Sequence, residues 1–202
     1  VIYLFKREVL FELLQDQVKE ATDFGKEIIP HSIKGHKVFS YQFEGYWTDI
    51  GNISSFFEAN LALTKELPPF NFFDNTNKVY SRARMLPPAK ISSSFMKNTL
   101  AADGCIIHAE SIENCLIGIR TRIGAGSIII DSYLMGSDFY ETIEEMNYAA
   151  ERGIPKLGIG DNCYIKNAIV DKNCRVGNNV RINGGSHLAD TDHPLYTVKD
   201  GI

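Results

Sequence analysis

From about residue 100 an aliphatic side chain returns every six residues, and this period limits the fold more than any other feature of the chain. The series runs through Leu100, Ile106 and Ile112, then Ile117, Ile123, Ile129 and Met135. It resumes at Ile159 and Ile165 and continues through Val170, Val176, Ile182 and Leu188. Slips of one residue, from 112 to 117 and from 165 to 170, re-phase it, and Gly118, Gly124, Gly136, Gly160 and Gly177 follow its members as turn formers. An inward aliphatic and a tight turn at this period predict a parallel β-helix, three hexads to a triangular coil, each coil stacking its aliphatics on the next. An ordinary antiparallel domain would instead alternate at period two between turns about 8–12 residues apart. The break at 137–158 has helical composition and predicts a loop with a short helix that projects from one corner.

The first third reads differently. Residues 1–66 suggest mixed α/β structure: a short apolar strand at Val1–Phe5, then an amphipathic helix from Lys6 to about Glu20 with Val9, Leu10, Leu13, Leu14 and Val18 on one stripe. Asp23 is placed to cap a second helix ending before Pro30. The Asp-Phe-Gly run at 23–25 lacks the glycine-rich loop and His-Arg-Asp of a kinase, so the cap is its better account. The segment 36–43 alternates, with Phe39, Tyr41 and Phe43 on one face, and predicts a strand. A loop over 44–51 follows, then a helix from Asn52 or Ser54 to about Lys65. So few strands do not close a doubly wound sheet, and this part reads as the tail of a larger α/β domain. Val1 enters an apolar run without a methionine, consistent with a fragment. Four of the seven prolines fall within 67–99, which suggests an extended linker with a strand-like piece at 78–86, ahead of a β-helix domain over 100–202.

Composition narrows the function classes. The chain has 21 Lys and Arg against 25 Asp and Glu, a net charge of −4, so no broad attraction to nucleic acid or an anionic membrane is expected. No apolar run approaches the ~18–20 residues of a spanning helix, and no signal peptide is evident. Cys105, Cys115, Cys163 and Cys174 form no CxxC pair and no zinc spacing, which predicts free, buried thiols in a reducing compartment.

Four ordered motifs carry a resemblance. They are Asp-Phe-Gly-Lys-Glu-Ile-Ile-Pro (23–30), Tyr-Trp-Thr-Asp-Ile-Gly (46–51), Leu-Met-Gly-Ser-Asp-Phe-Tyr-Glu-Thr (134–142) and the run 159–173 from Ile-Gly-Asp-Asn-Cys to Asp-Lys-Asn. With the hexad domain, they resemble glucose-1-phosphate adenylyltransferase (ADP-glucose pyrophosphorylase), closest to its plant-type branch, along essentially the whole chain. The resemblance implies the end of a Rossmann-like, GT-A type nucleotidyltransferase domain followed by a left-handed parallel β-helix. The family's glycine-rich phosphate loop, first metal-binding aspartate and sugar-phosphate glutamate–lysine pair have no counterpart in these 202 residues. The chain therefore resembles the carboxyl-terminal portion of that enzyme.

The implied reaction joins ATP and glucose 1-phosphate into ADP-glucose and pyrophosphate, for glycogen or starch synthesis. Mg²⁺ is the implied cofactor, with Asp49 as a catalytic carboxylate and metal ligand; from the residues alone, the favoured reading of Asp49 is a cap of the helix that follows. Trp47 would sit by the sugar, or else anchor a core. Arg84, Lys172 and, less closely matched, Arg82 fall at positions that bind an anionic sugar-phosphate effector between catalytic domain and β-helix; otherwise they are solvated cations. Lys166, one hexad earlier, could stand in for Lys172. The resemblance further implies a homo- or heterotetramer in the cytoplasm or plastid stroma. Competing readings are a non-catalytic regulatory or assembly subunit, a transferase for another sugar nucleotide, and an acyltransferase using His108. The run His187 to His193 suggests a flexible exit from the last coil more than a metal site.

Overall fold

A computed structural model describes residues 2–17 and 20–202, which fall into two compact units, Val1–Gly45 and Tyr46–Ile202. In the first, α1 (Arg7–Glu12) runs on into a π-helical turn over Leu13–Gln17, with Leu13 fully buried. Val18, expected on the same stripe, lies outside the described residues, as does Val1. Asp23 caps the next helical segment as its sequence predicts. Its Oδ1 accepts from the Lys26 N–H at 2.8 Å, while Glu27 Oε2 accepts from the Thr22 and Asp23 N–H groups at 2.8 and 2.9 Å. The helix does not stop before Pro30. A π-helical turn (Phe24–Ile28) passes into α2 (Ile29–Gly35), and Pro30 stands in the first turn of α2, just past the junction.

Two expected strands in this unit are absent. Residues 2–5 and 36–43 are non-helical but pair with no neighbour among the described residues. Alternation alone supplies a strand's side-chain pattern but not its ladder; Phe39 and Tyr41 stand 88% and 89% exposed.

In the second unit, α3 (Ile53–Ala62) starts at Asn52, whose Oδ1 accepts from the Ser55 N–H at 2.8 Å. Phe57 is buried, and the Phe56 ring packs 5.9 Å from that of Tyr133. The strand expected at 78–86 does not form; this stretch is exposed and unpaired. Coiling then begins earlier than expected, inside the proline-rich 67–99 segment. The first coil comprises β1 (Lys90–Ile91), β2 (Phe95–Lys97) and β3 (Leu100–Ala101). The second comprises β4 (Ile106–Ile107), β5 (Ser111–Glu113) and β6 (Leu116–Ile117). The third comprises β7 (Arg122–Ile123), β8 (Ile128–Ile130) and β9 (Tyr133–Leu134).

An excursion follows, carrying α4 (Ile143–Glu151), within the span predicted to hold a helix. Thr142 and Glu145 close its reciprocal cap. The fourth coil is β10 (Gly158–Ile159), β11 (Tyr164–Lys166) and β12 (Ile169–Val170), and β13 (Arg175–Val176) and β14 (Arg181–Asn183) begin a fifth. All pairs between coils are parallel, in three sheets ordered β1-β4-β7-β10-β13, β2-β5-β8-β11-β14 and β3-β6-β9-β12. β15 (Thr191–His193) and β16 (Tyr196–Val198) form an antiparallel hairpin instead of another coil, and Leu188, expected inside, is 37% exposed.

The register yields three aliphatic columns. One runs Ile91, Ile107, Ile123, Ile159, Val176; the second Met96, Ile112, Ile129, Ile165, Ile182; the third Ala101, Ile117, Leu134, Val170. Three inward positions thus shift by one from the expected series: Ala101 for Leu100, Ile107 for Ile106 and Leu134 for Met135. One corner explains much of this. Between the second and third sheets the chain turns through a single left-handed residue, Asn98, Asn114, Asp131 or Asn167, with φ of 46°, 52°, 44° and 51°. That turn shortens the step from six to five at each such corner. Asn and Asp accept this conformation more readily than other residues with a Cβ, and they also bond to each other: Asn98 to Asn114 at 3.2 Å, and Asn114 to Asp131 at 3.0 Å.

Glycine is required at a second corner. A Cβ on Gly124 would lie 2.5 Å from the Gly160 carbonyl carbon, and one on Gly160 2.7 Å from that of Gly177. Cys105, Cys115 and Cys163 are buried in the core, Cys174 is half-buried and all four are free, as expected; burial pushes the Cys115 thiol up to about 12.

Candidate functional site

The 46–51 loop presents its side chains to solvent. Trp47 is 56% exposed, so it is not a core anchor. Asp49 is exposed as well, and the cap of α3 is Asn52 rather than Asp49. Asp49 Oδ1 accepts from the Gly51 N–H at 3.1 Å, just ahead of the Asn52 cap. Among the described residues no group of three or more His, Cys, Asp or Glu is gathered tightly enough to hold a metal. One exposed carboxylate does suit a Mg²⁺ ion that keeps most of its waters and takes its other ligands from phosphate. The run His187 to His193, in turn, ends in the β15–β16 hairpin.

The expected cations lie in two places. Arg84 Nη1 donates to the Arg82 carbonyl at 3.0 Å, and both are exposed on the segment leading into the first coil. Lys172 stands on the corner after β12. Its Nζ lies 3.0 Å from Asp138 Oδ1, both side chains about half exposed. No hydrogen bond or ion pair joins Arg82 or Arg84 to Lys172 among the described residues. Lys166 cannot replace Lys172: it lies in β11, in register with Ile130 and Asn183, on a different side of the β-helix.

The Lys172 corner is a stack. Its turns contain Asp103–Gly104, Ile119–Arg120, Gly136–Asp138 and Lys172–Asn173, one above another. The Arg120 N–H donates to the Asp103 carbonyl at 3.2 Å, the Ser137 N–H to Ile119 at 2.9 Å and the Asn173 N–H to Gly136 at 3.1 Å. The approach segment joins the stack at its amino-terminal end, where the Gly104 N–H donates to the Pro87 carbonyl at 2.7 Å.

Asp138 sits within a ring of donors. Asn173 Nδ2 donates to its Oδ2 at 2.9 Å, the Asp138 N–H donates to Asn173 Oδ1 at 2.9 Å, and Lys172 holds Oδ1. The Asn173 amide and then the Lys172 ammonium hold its carboxyl below the usual range, and the charge of Arg120 adds to them. Arg120 Nη1 reaches the Ser137 carbonyl at 3.4 Å, and its guanidinium lies 5.6 Å from the Tyr140 ring centre. Burial pushes the hydroxyl of Tyr133, against which α3 packs, up, and the charge of Lys172 partly opposes that rise. Arg120, Asp138 and Asn173 escaped the sequence analysis. The signal for Arg120 was available: at its corner, Gly104 and Asn173 take the left-handed turn at φ 76° and 60°, and Arg120 takes it at 57°.

The model of the GLGC left-handed parallel beta-helix domain matches residues 84–202, beginning at Arg84 and including every coil. The Nucleotidyl transferase model matches residues 1–66, which include Trp47, Asp49 and α3. The β-helix is accordingly left-handed, and the chain is similar at its amino-terminal end to the nucleotidyl transferases.

Proposed function

The chain belongs to the family of the GLGC left-handed parallel beta-helix domain, and from that premise we propose that it serves glucose-1-phosphate adenylyltransferase, as the carboxyl-terminal portion of that enzyme. The observation that carries this reading is the succession of a nucleotidyl transferase region and a GLGC-type β-helix in one chain. That succession makes it a sugar-1-phosphate nucleotidyltransferase-like protein, and the adenylyl and glucosyl choices are the proposal.

In the proposed reaction a phosphate oxygen of glucose 1-phosphate attacks the α-phosphorus of ATP. The new P–O bond forms as the bond to the β-phosphate oxygen breaks, and pyrophosphate leaves. Asp49 supplies one carboxylate ligand to Mg²⁺, whose charge when bound offsets that building on the phosphate oxygens. Trp47, exposed two residues away, lines the sugar side of the same loop. An anionic sugar phosphate binds at the Lys172 corner, with Arg84 and Arg82 approaching from the segment ahead of the first coil. Binding there biases the arrangement in which the reaction runs. The protein works as a homo- or heterotetramer.

Substrate choice tests the reading. In the full-length enzyme that carries this chain, glucose 1-phosphate should be consumed with ATP and Mg²⁺, giving ADP-glucose and pyrophosphate, and not with UTP, GTP or dTTP. Equal turnover with UTP or dTTP would assign the chain to a different sugar nucleotide.

A further inference from the structure

Arg120 breaks a local rule of its own fold. A left-handed backbone is strained for a residue with a Cβ, and most of the coil turns ease that strain with Gly, Asn or Asp. At this corner the corresponding position of two other turns complies, through Gly104 and Asn173. A long cation in the same conformation is a strained choice, and the strain coincides with charge: Lys172 and Asn173 hold the Asp138 carboxylate, and Arg120 Nη1 donates to the Ser137 carbonyl one residue before it. Their arrangement is that of a bound anion, with one ammonium and one amide each holding an oxygen that solvent can reach and a guanidinium held at the neighbouring Ser137 carbonyl.

We infer that Asp138 is a resident competitor in this cradle and that Arg120 is its second cation, so an anionic ligand enters by displacing the Asp138 carboxylate. The inference rests on the anion-site reading of Lys172 proposed above and adds to it what selects the ligand. Displacement requires a ligand with at least two anionic oxygens, since Lys172 and Asn173 hold separate oxygens of Asp138. A phosphate monoester meets that need and chloride does not. Asp138 also opens the excursion that carries α4, so its release from Lys172 would free the start of that excursion.

The test uses inorganic phosphate against the full chain, exchanged for chloride at fixed ionic strength and read as the rise in Tm with phosphate concentration. Asp138→Asn keeps the shape and removes the charge, so phosphate should bind roughly two- to fivefold more tightly, as expected from loss of an exposed competing ion pair. Arg120→Asn installs the residue that the sister turn already carries, so it should fold normally and bind phosphate about tenfold more weakly. Lys172→Ala should remove the phosphate response. Unchanged affinity in Asp138→Asn or in Arg120→Asn would overturn the inference while leaving an anion site at Lys172. No phosphate response in the wild-type chain or in Asp138→Asn, or a response that survives Lys172→Ala, would overturn both.

Discussion

Glu141 holds the 137–157 excursion onto the β-helix, and Glu141→Gln should loosen it without unfolding the coils. The side chain is 5% exposed. Its Oε2 accepts from the Leu157 N–H at 2.7 Å, and its Oε1 lies 2.6 Å from Arg175 Nη1, which also donates to the Pro155 carbonyl at 2.7 Å. The Oε1 contact is one of charge more than of aligned hydrogen bonding. Glutamine keeps the volume and the Leu157 bond but turns its amide N–H₂ toward the arginine. Replacing a charged contact by a neutral or unfavourable one costs about 1–2 kcal/mol, and here it falls on local opening of the excursion. Hydrogen exchange at the α4 amides should accelerate about 5- to 30-fold, while the amides of β5, β8 and β11 keep their wild-type rates.

The effect of pH has a definite sign. Burial raises the Glu141 pKa, but the Leu157 N–H and Arg175 outweigh it and the carboxyl titrates below its ordinary value. A depressed acid pKa stabilises the native form above the unfolded-state value of about 4.3 and loses that contribution as pH falls through the folded value. The difference between wild type and Glu141→Gln should therefore be full at neutral pH and vanish in acid. Equal α4 exchange in the two proteins at neutral pH would refute the clasp.

Two further outcomes follow from the coils. Ile129 is fully buried in its column, so Ile129→Ala should cost about 2–5 kcal/mol in a denaturant titration, with the uncertainty set by how far the coil collapses. Asn114→Ala must hold φ 52° without its bonds to Asn98 and Asp131, and should cost about 1–3 kcal/mol in the same measurement. Asn114→Gly should recover part of that loss by accepting the backbone angle.

What could be read in advance follows from how local each cause is. The aliphatic period shows through because every coil repeats the same burial, and the Asp23 and α3 caps show through because a cap is set within four residues. Leu100, Ile106 and Met135 were assigned one position off because a six-residue template does not register corners made by one Asn or Asp. The strands expected at 36–43 and 78–86 depended on partners that periodicity does not provide. In the candidate site, Lys172 follows β12 at a corner and is about half exposed, in keeping with the solvated cation that the sequence allows. Its neighbours Asp138 and Arg120 are 34 and 52 positions away in sequence, so only the stacking of coils brings them to it. Arg120 was nonetheless within reach: aligning the coils sets an arginine where the sister turns have Gly104 and Asn173.

The central claim is that Asp49 takes part in nucleotidyl transfer, and the kinetics of Asp49→Asn in the active enzyme test it most directly. Because Asn52 and not Asp49 caps α3, the substitution leaves the helix start intact and Tm should not change. The account predicts that kcat for ADP-glucose formation falls by about 100-fold or more, with a raised Mg²⁺ requirement. Wild-type kcat and Mg²⁺ dependence in a normally folded Asp49→Asn enzyme would contradict it.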